Sequence, residues 1–288
     1  MGAIFKREFK SYMTNMYGSV FIFFMLLITG LFFFLSNLVY GGPQIEYDML
    51  FYSSMILIIA IPILTMRSVA EDKHNGTDKF LLSLPLKVSG IVAGKYLALL
   101  AVFAIPTAVM CLLPIILSLF GEVYFLTSYS SLLAFFLLGA ALLAICMYIS
   151  SLTENQIISA VISLVTILVL FFLPDLSVFI PSTPLASYIS IVVLEAIVAL
   201  IAYFLTRSVG ISLTAAAIMI IPTSAVYIFA SSLFEGLFAK IVAFLSPFTR
   251  FFYFTYGIFD LSSIVYYLSL IAFFIFLTMQ SLDKKRWG

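Results

Sequence analysis

The sequence predicts an all-α polytopic membrane protein of about eight transmembrane helices, and three observations carry that prediction. Hydrophobic residues make up 64% of the chain and charged residues only 9%, with a mean hydropathy of +1.23. A soluble domain could not hide that much apolar surface, whereas lipid solvates it. The charges are also segregated: Tyr96 through Thr206 contain no Lys or Arg, and Glu122, Glu154, Asp175 and Glu195 are the only acids there. Finally, the apolar runs are continuous over roughly 20 residues, which matches ~30 Å of hydrocarbon. Barrel strands would instead alternate over about 10 residues. In lipid every backbone amide needs a partner, and uninterrupted helices satisfy that within each segment.

In chain order the predicted crossings are residues 19–38, 48–66, 94–119, 129–151, 157–173, 185–206, 212–232 and 262–281, within one membrane domain spanning 1–288. The positive-inside rule orients them. With the amino terminus inside, Lys6, Arg7, Lys10, Arg67, Lys73, Lys79, Lys87, Lys95, Arg207, Lys284, Lys285 and Arg286 lie on the inner side, and only Lys240 and Arg250 lie outside. Both termini are therefore expected in the cytoplasm. The first run is too long for a signal-peptide core and has no small-residue cleavage site, so it reads as a retained helix. Cys111 and Cys146 lie inside apolar runs and read as packed small hydrophobes rather than as a disulfide.

Residues 1–18 put Phe5, Phe9, Tyr12, Met13 and Met16 on one helical face, with Lys6, Arg7 and Lys10 away from it. That spacing predicts an amphipathic helix lying in the membrane interface; the alternative is a plain positive flank for the first crossing. In residues 233–261, apolar pieces are interrupted by Pro247, Arg250, Gly257 and Asp260. This region is expected to form one or two short re-entrant helices at the outer leaflet, or else an outer loop with an aromatic belt.

Residues 67–90 form the long charged inner loop. The second crossing is expected to run past Met66 as a stalk through Arg67, Glu71 and Asp72, ending at Asn75-Gly76, because glycine takes the left-handed cap conformation without a steric penalty. Thr77 is placed to cap a new short helix. Leu81 and Leu82 give that helix an apolar patch, and Pro85 stops it. A short greasy helix on a charged stalk suits docking to a protein. The alternative is a helix flat on lipid, which Glu71, Asp72 and Asp78 disfavour near an anionic leaflet.

At this point the sequence resembles a known family. Ala70-Glu71-Asp72, Gly76-Thr77, Leu81-Leu82 and Pro85, followed by Gly94-Lys95, are similar to the coupling-helix region of ABC-2 type permeases, above all the gliding-motility and copper-enzyme-maturation permeases. Lys6 to Phe9, Pro62 to Arg67, Ser150 to Gln156, and later Arg250, Gly257, Asp260, Tyr266 and Arg286-Trp287 agree with the same pattern. Lys79 stands where the family usually has an acid. The family commonly has six spans, so residues 174–232 read as an extra two-span insertion, which preserves orientation.

The resemblance implies the permease subunit of an ATP-driven exporter. Its partners would be cytoplasmic ABC ATPase subunits, a second permease subunit and membrane lipid, with no nucleic acid involved. Arg67, Glu71, Asp72, Gly76, Thr77, Leu81, Leu82 and Pro85 would then couple it to the ATPase. Gly90 to Lys95 is not a phosphate loop: it has three residues between its glycines, no Ser or Thr after Lys95, and no preceding strand. No cofactor site and no catalytic residues are expected in this chain, and ATP and Mg belong to the partner. His74, the single histidine, has no ligand set around it, so no metal site is expected. Glu195 lies near mid-depth of the sixth crossing, where a carboxylate costs a few kcal/mol unless protonated or paired. It reads either as a pathway residue or as an acid bonded to a neighbouring hydroxyl of Ser187, Tyr188, Ser190 or Tyr203. Two other functional classes stay open: a secondary transporter driven by an ion gradient, and a non-transporting motility or assembly anchor.

Overall fold

The computed structural model describes residues 1–41, 45, 48–77, 87–179, 181–206 and 208–287. Among them, the regular structure is helical, as the unbroken apolar runs predicted. Helix α1 (Gly2–Thr14) is followed by α2 (Tyr17–Phe32), which continues as a π-helical segment to Val39. Next come α3 (Met49–Thr65), the short α4 (Ala70–His74), α5 (Val88–Met110), α6 (Leu113–Leu117) and α7 (Phe125–Leu152). The remainder is α8 (Gln156–Val178), α9 (Pro184–Thr206), α10 (Val209–Phe229), α11 (Leu237–Leu245), α12 (Pro247–Thr255) and α13 (Leu261–Trp287).

Among the described residues, six helical stretches are long and apolar enough to cross a membrane: Tyr17–Val39, Met49–His74, Val88–Leu117, Phe125–Leu152, Gln156–Asp175 and Leu261–Lys284. They match six of the eight predicted crossings to within a few residues at most ends. The other two form α9, of 23 residues, and α10, of 21, in which Pro184–Ile197 and Ala216–Phe229 are the described apolar stretches. Among the described residues the count is therefore six, or seven if α11 and α12 make one broken span.

The chain forms two compact units. The first comprises residues 1–169 and 250–288. At its centre lies α7, buried on all sides along most of its length and packed against α3, α5 and α13. A helix apolar all round belongs in such a position. Phe103 of α5 lies directly on the bare backbone of Gly139, where an added methyl would collide with the ring. The second unit, residues 170–249, is built on the antiparallel pair α9 and α10. Tyr188 stacks on Tyr227 at 4.3 Å, and its hydroxyl meets that of Ser224 at 2.9 Å. Residues 233–261 form the two short helices α11 and α12, with a bend of 83° at Ser246.

Candidate functional site

The described polar groups of the first unit converge where α3 ends. Pro62 sits inside α3 and supplies no amide hydrogen. After Thr65 the chain makes a tight turn, closed by the Ser68 amide on the Thr65 carbonyl at 2.9 Å, and resumes as α4. The predicted stalk is therefore broken at residues 66–69 before it continues.

The first amides of α4 have no side-chain cap of their own. The hydroxyl of Ser150, at the far end of α7, accepts from the amides of Val69 at 3.2 Å and Ala70 at 3.1 Å. The neighbouring Ser151 carbonyl accepts from Lys73 Nζ, and from the hydroxyl of Ser281 on α13 at 3.3 Å. Thus α7 grips the base of the stalk, and α13 braces α7 at the same carbonyl.

Lys95 of α5 is the hub of the cluster. Its Nζ lies 2.6 Å from Asp72 Oδ2 and 3.1 Å from Glu8 Oε1, and it donates to the Ser68 carbonyl at 2.7 Å. The side chain is only 4% exposed, so this cation depends on protein partners. Glu8 reaches it because α1 packs closely on α5 at Gly94. A Cβ there would lie 3.1 Å from Ile4 Cβ and 3.2 Å from the Met1 carbonyl. The side of α1 buried in the protein carries Ile4 and Tyr12, with Glu8 between them; of the predicted interfacial face, Phe5, Phe9, Tyr12, Met13 and Met16, Tyr12 is buried in this way. Phe5 and Phe9 stack on each other at 5.9 Å and are half-buried. Burial, together with the charges of Glu8 and Glu71, holds the Tyr12 phenol far above its usual pKa.

Of the predicted coupling residues, Arg67 pairs with Glu71 and lies over the Tyr17 ring at 4.1 Å. Asp72 pairs with Lys95. Gly76 takes φ +68, as a helix-ending glycine should, with its amide on the Lys73 carbonyl at 3.2 Å. Thr77, expected to cap a following helix, turns its hydroxyl back onto Asp72 Oδ1 at 2.8 Å. Leu81, Leu82 and Pro85 lie outside the described residues. Within the chain, Glu71 and Asp72 thus have ion-pair partners of their own. Glu8, Ser68, Lys73, Lys95 and Ser150 are members of the cluster to which sequence reasoning gave no role in it.

A second constellation lies at the opposite end of α13. Asp260 Oδ1 accepts from the Ser262 amide at 3.0 Å, while Oδ2 accepts from the Ser263 amide at 3.1 Å and its hydroxyl at 2.6 Å. This is an N-cap. Arg250 lies 3.6 Å from Asp260, donates to the Ser262 hydroxyl at 3.0 Å and covers the Tyr266 ring at 4.9 Å. Gly257, at φ +78, makes the turn that brings these groups together. The Ser263 hydroxyl, the two amides and Arg250 lower the Asp260 pKa. A depressed carboxylate stabilises the fold above its unfolded pKa, and that contribution is lost as pH falls through the folded value. Asp260→Ala should therefore cost about 0.5–2 kcal/mol at neutral pH. The difference from wild type should shrink as pH falls below the ordinary carboxylate range and through the lowered folded pKa. Thermal melts of both proteins in detergent at two pH values check this.

In the second unit, Glu195 Oε1 accepts from the Thr223 hydroxyl at 2.6 Å, while Oε2 is buried with no hydrogen-bond partner among the described residues. The partner is thus across the helix pair on α10 and is none of the four hydroxyls near Glu195 in sequence. The polar run Thr223-Ser224, one step after Pro222, was the available signal.

A protein-family model described as "ABC-2 family transporter protein" matches residues 42–194. That match covers α3, the stalk and α5 through the first part of α9. No curated protein matches the sequence at a significant level.

Proposed function

The chain belongs to the ABC-2 family of transporters, and on that premise we propose that this transmembrane subunit exports its substrate across the cytoplasmic membrane. As a permease it is a transmembrane component and not itself an ATPase. ATP and Mg are bound by separate ABC ATPase subunits. Two permeases pair, most simply by a twofold axis, with the route at their interface. Both termini and the stalk face the cytoplasm, in keeping with the distribution of Lys and Arg.

The observation that carries this reading is the grip of Lys95 on Asp72, Glu8 and Ser68. A buried, multiply bonded cation makes α1, α5 and the stalk one mechanical body. ATPase closure against the segment after Gly76, where Leu81 and Leu82 supply apolar anchors and Pro85 the stop, then moves that body rather than a loose loop. Arg67 and Glu71 stiffen the stalk, and Gly76 gives the turn to the docked segment.

The experiment is co-purification with the ATPase and measurement of ATP-driven transport in proteoliposomes. Gly76→Pro, incompatible with φ +68, and Leu81→Asp should uncouple hydrolysis from transport while the permease stays folded. Unchanged coupling in both variants would falsify the lever. Labelling of Asp78→Cys by an impermeant reagent from outside intact cells would reverse the orientation.

A further inference from the structure

Independently of the coupling reading, we infer that the elbow between α1 and α2 binds one membrane phospholipid whose headgroup is zwitterionic and carries an ammonium. The elbow is where the chain passes from an amphipathic helix to an apolar one, and Met16 makes the turn in the left-handed region at φ 63. Below it runs a groove of about 580 Å³ between α2 and α3. Val20 and Phe24 form one wall and Ile59 and Ile63 the other, each pair four residues apart, and all four are substantially exposed. The volume falls within the range of about 300–1,000 Å³ typical of small-molecule sites.

What distinguishes this groove from an ordinary lipid-facing helix surface is its head. Asn15 and Tyr17 line its upper end and also line a polar recess of about 20 Å³, together with Glu8, Ser11, Arg67 and Glu71. Apolar slot and polar recess thus adjoin at these two residues. Arg67 gives one nitrogen to Glu71 and its face to Tyr17, while its Nε is buried with no acceptor among the described residues. A buried donor without an acceptor is costly. The recess has room for a single oxygen, and a phosphoryl oxygen supplies the acceptor. Of the two carboxylates lining the recess, Glu8 is held by Lys95 and Arg7, while Glu71 pairs with Arg67 and stays 30% exposed. That partly exposed carboxylate suits a headgroup ammonium near Glu71 and opposes a second negative charge. Phosphate at Arg67, ammonium toward Glu71 and an acyl chain between α2 and α3 satisfy all three features at once.

Native mass spectrometry of the protein, purified from membranes containing both phosphatidylethanolamine and phosphatidylglycerol, tests this. The expected result is preferential retention of the ethanolamine lipid by wild type. Val20→Trp and Ile63→Trp, which fill the groove from either wall, should lose that adduct. Ile162→Trp, on the exposed face of α8, should keep it. Glu71→Gln should erase the headgroup preference while tail binding persists. Equal retention of both lipids by wild type, or adducts unchanged in both groove variants, overturns the inference. So does a disulfide between two copies of Ile59→Cys, which would assign the groove to a contact between subunits. The wild-type comparison requires no variant to fold.

Discussion

Replacing Lys95 with methionine is expected to lower stability by about 3–5 kcal/mol, the cost of removing one partner from a buried ion pair, and to uncouple the stalk. Methionine keeps most of the apolar stem, so the loss reports the charge rather than a cavity. Without the ammonium, Glu8 and Asp72, only 14% and 19% exposed, face each other across the vacated position. Like charges in a poorly solvated site repel, and Asp72 has also lost its ion-pair partner, whereas Glu8 keeps Arg7. The full figure applies only if water does not enter. Partial access of the two carboxylates moves the expectation toward its lower end. A thermal melt in detergent reads the effect. Two further substitutions separate stability from coupling. Adding Glu8→Gln and Asp72→Asn to Lys95→Met removes every charge of the triad, and replacing a whole buried ionic group is often close to neutral. The triple variant should therefore recover much of the lost stability while ATP-driven transport stays low, because α1 is no longer latched to the stalk. A single variant that melts with wild type would mean the triad holds nothing.

The spans were legible because lipid imposes a simple condition on a sequence. A run of apolar residues long enough for the hydrocarbon becomes a helix, and six such runs match the predicted crossings. The outer corner was legible in outline too: Asp260 just before an apolar run is an N-cap signal, and Gly257 marks a turn. The hub was not. Glu8 and Lys95 are 87 residues apart, and nothing local in either helix says that one faces the other. On α1 the hydrophobic pattern pointed to the Phe5 and Phe9 face. The backbone contact allowed by Gly94 brings Ile4 inward beside Glu8, while Tyr12, a member of that face, is buried as well. Three stretches of the family pattern, Lys6 to Phe9, Gly94-Lys95 and Ser150 to Gln156, were visible separately, yet each supplies a part of one cluster. Glu195 gives the same lesson on a smaller scale. A neighbouring hydroxyl was expected, but helix pairing delivered Thr223 from the next helix.

Ser150→Ala should be the other costly change. The hydroxyl accepts from two amides, those of Val69 and Ala70, at the start of a helix with no side-chain cap of its own. Alanine leaves both donors buried and unsatisfied, at about 1–3 kcal/mol per group. An ordinary N-cap loss amounts to about 0.5–2 kcal/mol because water replaces the cap. Here Val69 and Ala70 are 2% and 0% exposed, so water cannot reach them without local opening. The penalty therefore falls on the geometry of the stalk, either in global stability or as fraying of α4. Hydrogen exchange at Val69, Ala70 and Lys73 separates these outcomes: fraying speeds exchange there and leaves the centre of α7 protected. Ser150→Thr, which keeps the oxygen, should restore protection if the added methyl is accommodated. Slow exchange at Val69 and Ala70 in the alanine variant would show that the hydroxyl of α7 does not hold the stalk. The link from α7 to α4 would then have to be sought in Lys73 on the Ser151 carbonyl.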